Sequence, residues 1–380
     1  MSVRRLIVEV EVEGLNVSGF CAQHHVSRWF FYDLRRRYAR EGDAALEVRS
    51  RAPRVVANRT VVEMEDQIVA ARKELLDAGW DFGAVSVHDA LVDAGVAGVP
   101  SPATIWRVLC RRGFVVPEPA KRPQRAMRRF VAERANECWQ FDDTTWALAD
   151  GTEVKIINVV DDCTRVLVAC RAVAACTSTA VFETLMDGAA TWGLPQWVLC
   201  DNAKAHLALH DTLGALGIAT HHSRPYHPQT CGKVERFHET LKQWLRARDR
   251  AATIDELHAQ LDAFRERYNT QRRHRSLGRR PPADVWANTP KSGPADRPLE
   301  PATTIHHVVI ASNGVAYVTA GYAIGIGRAY AAQPATVVIT GHACHVFVDA
   351  HLARTLTLDP TRRSQPTNRP STVRNAPRHL

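Results

Sequence analysis

The sequence predicts a multidomain α/β protein. Three observations carry that expectation. Helical periodicity dominates roughly the first 115 residues, strands and helices alternate through 137–286, and short glycine-broken apolar runs fill 300–357. A chain of 380 residues is long enough for several domains, and 45% hydrophobic content supports proper cores.

Residues 1–55 read as a helix-turn-helix module. In FCAQHHVSRWFFYDLRRRYAREG a short turn at His25–Ser27 precedes a helix to about Ala39, with Ser27 as N-cap. Trp29, Phe30 and Leu34 are expected to face a core, while Arg28, Arg35, Arg36 and Arg37 reach outward, the profile of a helix that enters a major groove. A solvated basic helix packed on its neighbour is the alternative. One local conflict stands: LIVEVEVEG alternates like a strand where this module needs a helix.

A polar linker at 56–62 leads to a second helix-turn-helix or winged-helix-like module at 63–115. VEMEDQIVAARKELLDAG is amphipathic and stops at Gly79, a helix follows near Val85–Ala94, and Ser101-Pro102 opens a third helix. That helix places Ile105, Val108 and Leu109 inward and Arg107, Arg111 and Arg112 outward as DNA-contact candidates. Residues 116–136 form a basic connector rich in proline and arginine.

Residues 137–286 give three strands (CWQFDDTTWAL, TEVKIINVVDD, TRVLVACRAV), a helix ending at Gly193, the buried strand PQWVLCDNA, a helix, the short strand IATHHS, and two further helices. Three antiparallel strands, then helix, strand, helix, strand, helix is the ribonuclease-H-like order. Residues 300–357 (HHVVIAS, VAYVTA, ATVVITG, CHVFVD) suggest a small β-barrel, and the Arg-, Pro- and Ser-rich residues 358–380 a disordered basic tail.

The net charge of +9 favours a polyanionic partner, nucleic acid before membrane. The surplus is uneven: Lys121–Arg134 holds six Lys/Arg against one Glu, and 361–380 five Arg and no acid. No apolar run is long enough to span a bilayer, and MSVRRLIVEVEVEG lacks the features of a signal peptide. A cytoplasmic, nucleoid-associated protein with no membrane partner is expected. The nine cysteines form no C-x-x-C pair, so reduced thiols are expected, and nothing completes a zinc site around His24-His25.

Residues 223–242, SRPYHPQTCGKVERFHETLK, carry the chemistry. A proline-broken loop runs into a helix that begins with Glu235. Asp142 lies in the first core strand and Asp201 follows an apolar strand, where sheets with parallel neighbours bind ligands. Three carboxylates from separate elements can share two divalent cations, and all-oxygen donors suit Mg²⁺ or Mn²⁺. Such a pair of ions serves phosphodiester chemistry with no covalent enzyme intermediate. Val234, Phe237, Leu241, Trp244 and Leu245 form the buried stripe of the helix, and Glu235, Glu239 and Lys242 share another face. Lys242 is a candidate phosphate contact or the partner of Glu239; Lys233, Arg236 and Asn202 are further DNA-binding candidates. Glu239 is the runner-up for the third ligand. Asp143 alternates to the opposite strand face, and Asp161 and Asp162 end the second strand in a turn with an Arg165 ion pair.

WQFD at 139–142, DDCTR at 161–165, DNAKAH at 201–206 and RPYHPQTCGKVERFHETLK at 224–242 resemble the integrase-type DDE transposases of bacterial insertion sequences. YNTQRRHRSLG at 268–278, followed by PPADVW, is similar to the segment after their core. The resemblance implies Asp142, Asp201 and Glu235 as catalytic, metal-binding residues. It implies binding of double-stranded DNA at terminal inverted repeats, strand cleavage and transfer to target DNA, and a homo-oligomer holding two element ends. Ala203 stands where that family has glycine, Cys231 where it has asparagine, and the interval of 33 residues between Asp201 and Glu235 is slightly short. A catalytically inactive DNA-binding regulator is the alternative function, and a structure-directed nuclease a third.

Overall fold

The computed structural model describes residues 2–48, 59–118, 131–200, 209–222, 232–294, 303–319 and 321–367, with the side chains of His222 and Glu235 left out. Two compact units emerge, Met1–Thr60 and Val61–Leu380.

The first unit holds helices α1 (Val3–Glu9), α2 (Val17–Gln23) and α3 (Arg28–Glu41). The strand-like alternation of LIVEVEVEG gives way to a helix capped at both ends. Ser2 Oγ accepts the Arg5 N–H at 3.3 Å, Arg5 pairs with Glu9 at 2.8 Å, and Arg35 donates to the carbonyls of Ile7 and Val10 at the far end of α1. Ser27 caps α3 through the Phe30 N–H at 3.1 Å. Its inward face differs from expectation: Phe31 and Leu34 are fully buried, whereas Trp29 stands 73% exposed. Arg35 and Arg37 also turn inward, Arg37 donating to the Ala45 carbonyl at 3.1 Å.

In the second unit α4 (Val62–Asp77), α5 (Ala84–Asp93) and α6 (Pro102–Arg111) enclose Ile68, Val87, Leu91, Ile105, Val108 and Leu109. Ser101 caps α6, with Pro102 in its first turn. Of the three arginines expected to point outward, Arg111 pairs with Glu65 of α4 and Arg112 with Glu65 and Asp66.

The central sheet has the order β3-β2-β1-β4-β5. β1 (Cys138–Ala147), β2 (Glu153–Asp161) and β3 (Leu167–Val173) are antiparallel. β4 (Trp197–Cys200) runs parallel to β1, and β5 (Ala219–His222) parallel to β4. Helices α7 (Ser178–Trp192), α8 (His210–Ala215), α9 (Gly232–Arg246), α10 (Ile254–Thr270) and α11 (Pro282–Ala287) complete this part. The strand-helix order is the ribonuclease-H-like one. One layer of core packs α7 against Trp139, Val159 and Val168, and here Gly188 is required, because a Cβ would meet Val168 Cγ1 at 2.5 Å. The other layer packs α9 and α10 through Phe237, Leu241, Trp244, Leu257 and Phe264.

Beyond α11, the small barrel expected at 300–357 is a pair of sheets, with no closed barrel among the described residues. β6 (Thr303–Val309), β9 (Pro334–Thr340), β10 (Ala343–Val348) and β11 (His351–Thr357) form one. β7 (Val315–Tyr317), β8 (Ala323–Gly325) and β12 (Ser364–Gln365) form the other. Both line one apolar core that includes Ile324, Val337 and Val346. This all-β part rests on the central sheet's helices: Phe347 meets Phe182 at 4.9 Å between centroids, and His307 pairs with Asp187 of α7 at 3.0 Å. The polar tail expected at 358–380 is described as far as 367, and there Gln365 is buried in β12.

Candidate active site in the central sheet

Asp142 sits in β1 opposite Asn158 of β2 and is half-buried. Its Oδ1 accepts the Asp143 N–H at 2.9 Å, which fixes one carboxylate oxygen locally. Asp143 turns to Lys155 at 3.0 Å, an ion pair that raises the lysine's pKa, as a residue on the opposite strand face should. β1 pairs in parallel with β4 up to Gln140–Leu199. Asp142 and Asp201 each come two residues after that last pair in the sequence. Asp201, Asn202, Ala203 and Cys231 lie outside the described residues.

Glu235 belongs to α9, whose apolar stripe is buried as expected: Val234, Phe237, Leu241, Trp244 and Leu245 are all under 5% exposed. That packing orients the helix against the sheet. Arg236 is exposed, Lys242 half-buried, and no ion pair joins Lys242 to Glu239 among the described residues. His238, one turn beyond Glu235, has its pKa pushed down to about 4 by burial and by Lys242. Its Nε2 is buried without a hydrogen-bond partner.

The densest polar cluster is one that sequence reasoning saw only in part. Asp162 is fully buried at the end of β2. It accepts the Ala132 N–H at 2.9 Å and the Gln140 Nε2 at 2.7 Å, and it faces Arg165 at 3.5 Å and Lys233 Nζ at 2.5 Å. The turn with Arg165 is the expected one; Arg165 adopts φ 63°, where non-glycine residues are uncommon. Lys233, a DNA-contact candidate, points into this cluster. Burial and repulsion from Arg165 lower its pKa, opposed by the Asp162 carboxylate. Asp161 beside it accepts the Thr164 hydroxyl and N–H and the Asn136 N–H. Burial nevertheless pushes its pKa up to about 6. The cluster thus ties the start of α9, which carries Glu235, to β1 two residues before Asp142. A signal existed in DDCTR and Gly-Lys-Val-Glu, but only a fold brings residues 162 and 233 together.

Among the described residues no three His, Cys, Asp or Glu side chains form a cation site. The eight described cysteines are free. No described helix is long and apolar enough to cross a membrane.

Residues 132–228 match a family model described as integrase core domain, and 216–282 match a second of the same description. Among solved structures, the chain is similar to the HTLV-2 integrase catalytic core domain in complex with magnesium (trimeric form). That likeness has 15% identity and a TM-score of 0.33, covering 42% of this chain and 99% of that one. It is also similar to the simian T-cell lymphotropic virus intasome, at 17% identity and a TM-score of 0.38 over 72% of this chain and 95% of that one. The integrase core domain match thus runs over residues 132–282, and the chain resembles the integrase-type DDE transposases.

Proposed function

We propose that this chain is a DNA transposase that binds terminal inverted repeats, cleaves strand ends and joins 3′-hydroxyls to target DNA. The observation that carries the reading is the coincidence of the integrase core match with the sheet order β3-β2-β1-β4-β5, in which β1 bears Asp142 and its parallel neighbour β4 ends immediately before Asp201. Asp142, Asp201 and Glu235 are the proposed catalytic residues, and their all-oxygen donor set fits Mg²⁺ or Mn²⁺. Two such ions, when bound, supply an activated nucleophile and stabilise the leaving oxygen. The chain's own residues set the frame: the Asp143 N–H holds one Asp142 oxygen, the α9 stripe aims the helix of Glu235, and the Asp162 cluster joins the two elements. Lys242 and Arg236 on α9, with Asn202, are the proposed DNA contacts near the reacting phosphate. A homo-oligomer follows from the need to hold two element ends at once.

The amino-terminal helices are the proposed readers of the repeats, with α2–turn–α3 as a helix-turn-helix and α4–α6 as a second module. The test uses oligonucleotide duplexes taken from the DNA flanking the reading frame. Mg²⁺-dependent nicking and strand transfer are expected, and Asp142→Asn, Asp201→Asn and Glu235→Gln should each abolish both. Undiminished transfer in those variants would sink the site assignment. Tight duplex binding without nicking at any metal concentration would leave the DNA-binding regulator.

A further inference from the structure

One face of α3 stays exposed in its own unit, although the Tyr32 ring meets the buried Phe31 edge-on at 5.4 Å. The opposite side of that helix buries Phe31 and Leu34 completely and turns Arg35 and Arg37 onto backbone carbonyls. At the helical repeat, Arg28, Trp29, Tyr32, Arg36 and Arg40 share the remaining side. Trp29 is 73% exposed and Tyr32 45%. A single exposed apolar residue is ordinary. Two aromatic rings set among three arginines on one helix face form a continuous cationic and apolar surface, which is what specific interfaces present. Arg28 and Arg36 make no hydrogen bond or ion pair among the described residues, and Arg40 lies only 3.7 Å from Glu41.

The charge of this face selects a polyanion, and its aromatic pair requires apolar contact as well. A DNA duplex offers both: phosphates along the rim and thymine methyl groups in the major groove. Trp29 is the second residue of its helix, and it is the first turn of such a helix that reaches base edges. α6 contrasts with it, since two of the three arginines there are committed to Glu65 and Asp66.

We propose that the Arg28–Trp29–Tyr32–Arg36 face of α3 is the sequence-reading surface of the amino-terminal unit, with the arginines on phosphates and the two rings on base edges. This rests on the DNA-binding reading above and names the residues that discriminate between sequences.

The test uses the full chain. Duplexes are selected from a randomised library by the wild-type protein; the enriched duplex and a scrambled duplex of equal composition are then titrated by fluorescence anisotropy at several salt concentrations. Trp29→Ala and Tyr32→Ala should each lower the ratio of enriched to scrambled affinity about tenfold or more, leaving the salt slope unchanged. Arg28→Gln and Arg36→Gln should weaken both duplexes alike and each reduce the slope of log affinity against log salt by about 1. Because Trp29 is so exposed, its alanine variant should melt as the wild type does. Tyr32→Phe, which keeps the ring, should retain most of the ratio. If the wild type enriches a sequence but both alanine variants keep its full ratio, the proposal fails and the DNA-binding reading survives. If the wild type enriches nothing, both fail. A change in sedimentation of the DNA-free Trp29→Ala chain, with the ratio kept, would make the face a protein contact and overturn the proposal.

Discussion

Replacing Lys233 by methionine keeps the length of its stem and removes one of two cations that face Asp162. The consequence can be worked from the cluster. Asp162 is fully buried, and the Lys233 side chain is only 24% exposed, so neither charge is well screened by water. Removing one partner of a buried ion pair costs about 3–5 kcal/mol when the other charge is left uncompensated. Asp162 is not left alone here: Arg165 remains at 3.5 Å, and the Ala132 N–H and the Gln140 amide still donate. About half the full penalty, roughly 2 kcal/mol, is therefore expected for Lys233→Met. Asp162→Asn strands two cations against an amide and should cost about 4 kcal/mol. The double variant should cost less than the sum, since each change removes the same contact.

The assay is urea unfolding followed by tryptophan fluorescence, paired with the salt dependence of duplex binding. A lysine on a phosphate would contribute about 0.9 to the slope of log affinity against log salt. A lysine held by Asp162 contributes nothing to it. A stability loss with an unchanged slope is expected for Lys233→Met. A wild-type unfolding midpoint together with a slope shallower by about 1 would refute the assignment and return Lys233 to the DNA surface.

Trp80→Ala should destabilise the second unit by about 3–5 kcal/mol, because Trp80 is 5% exposed and stacks on Phe264 at 5.7 Å; chemical denaturation reads it directly. Gly79→Ala should be harmful out of proportion to its size. The φ of +75° costs an alanine roughly 1–3 kcal/mol, and its Cβ would meet the Trp244 Cα at 2.7 Å, so a lowered melting temperature is expected. His307 gives a pH dependence. Its hydrogen bond and charge partner Asp187 raise its folded pKa, so the stabilisation is full below the ordinary value of about 6.5 and fades as pH rises through the folded value. Both side chains are nearly half exposed, which limits the effect to under about 1 kcal/mol. Melting curves from pH 5 to 8 should show that extra fall in the wild type and not in His307→Gln.

The central sheet was readable because its strands are long, apolar and bounded by turn residues, and because α9 and α10 keep a clean 3.6-residue stripe. Where sequence reasoning failed, contacts distant in sequence decided. LIVEVEVEG alternates perfectly well for a strand, but Arg35, 25 residues beyond Val10, caps it as a helix. Trp29 and Phe31 are both aromatic, and only the docking of α1 and α2 tells which faces the core. β8, β11 and β12 are short or half-exposed and carry little periodic signal. The strand position of Asp142 was legible because a carboxylate pair interrupts an apolar strand, whereas the ion pair of Lys233 depends on a partner 71 positions away.

The second helical module commits part of its positive charge to its own unit, and this bears on how the chain works. Two of the three α6 arginines are held by α4, Arg111 by Glu65 and Arg112 by Asp66. The same module is clamped to the helices that follow the central sheet. Arg272 pairs with Asp81 at 2.7 Å, Arg273 with Asp93 at 2.5 Å, and Arg279 with Asp89, while the Trp80 ring fills a slot between Trp244 and Phe264. The ion pairs are partly exposed and worth little singly. The buried tryptophan is what makes module and core one body. DNA held by α4–α6 would therefore meet the core at a fixed distance and angle, and Trp80→Ala tests this beyond stability. If the module acts as a strut, the variant should nick duplexes at scattered positions at temperatures where it remains folded. Cleavage at one unchanged phosphate, with only the melting point lowered, would show that Trp80 supports the fold and does not set the register.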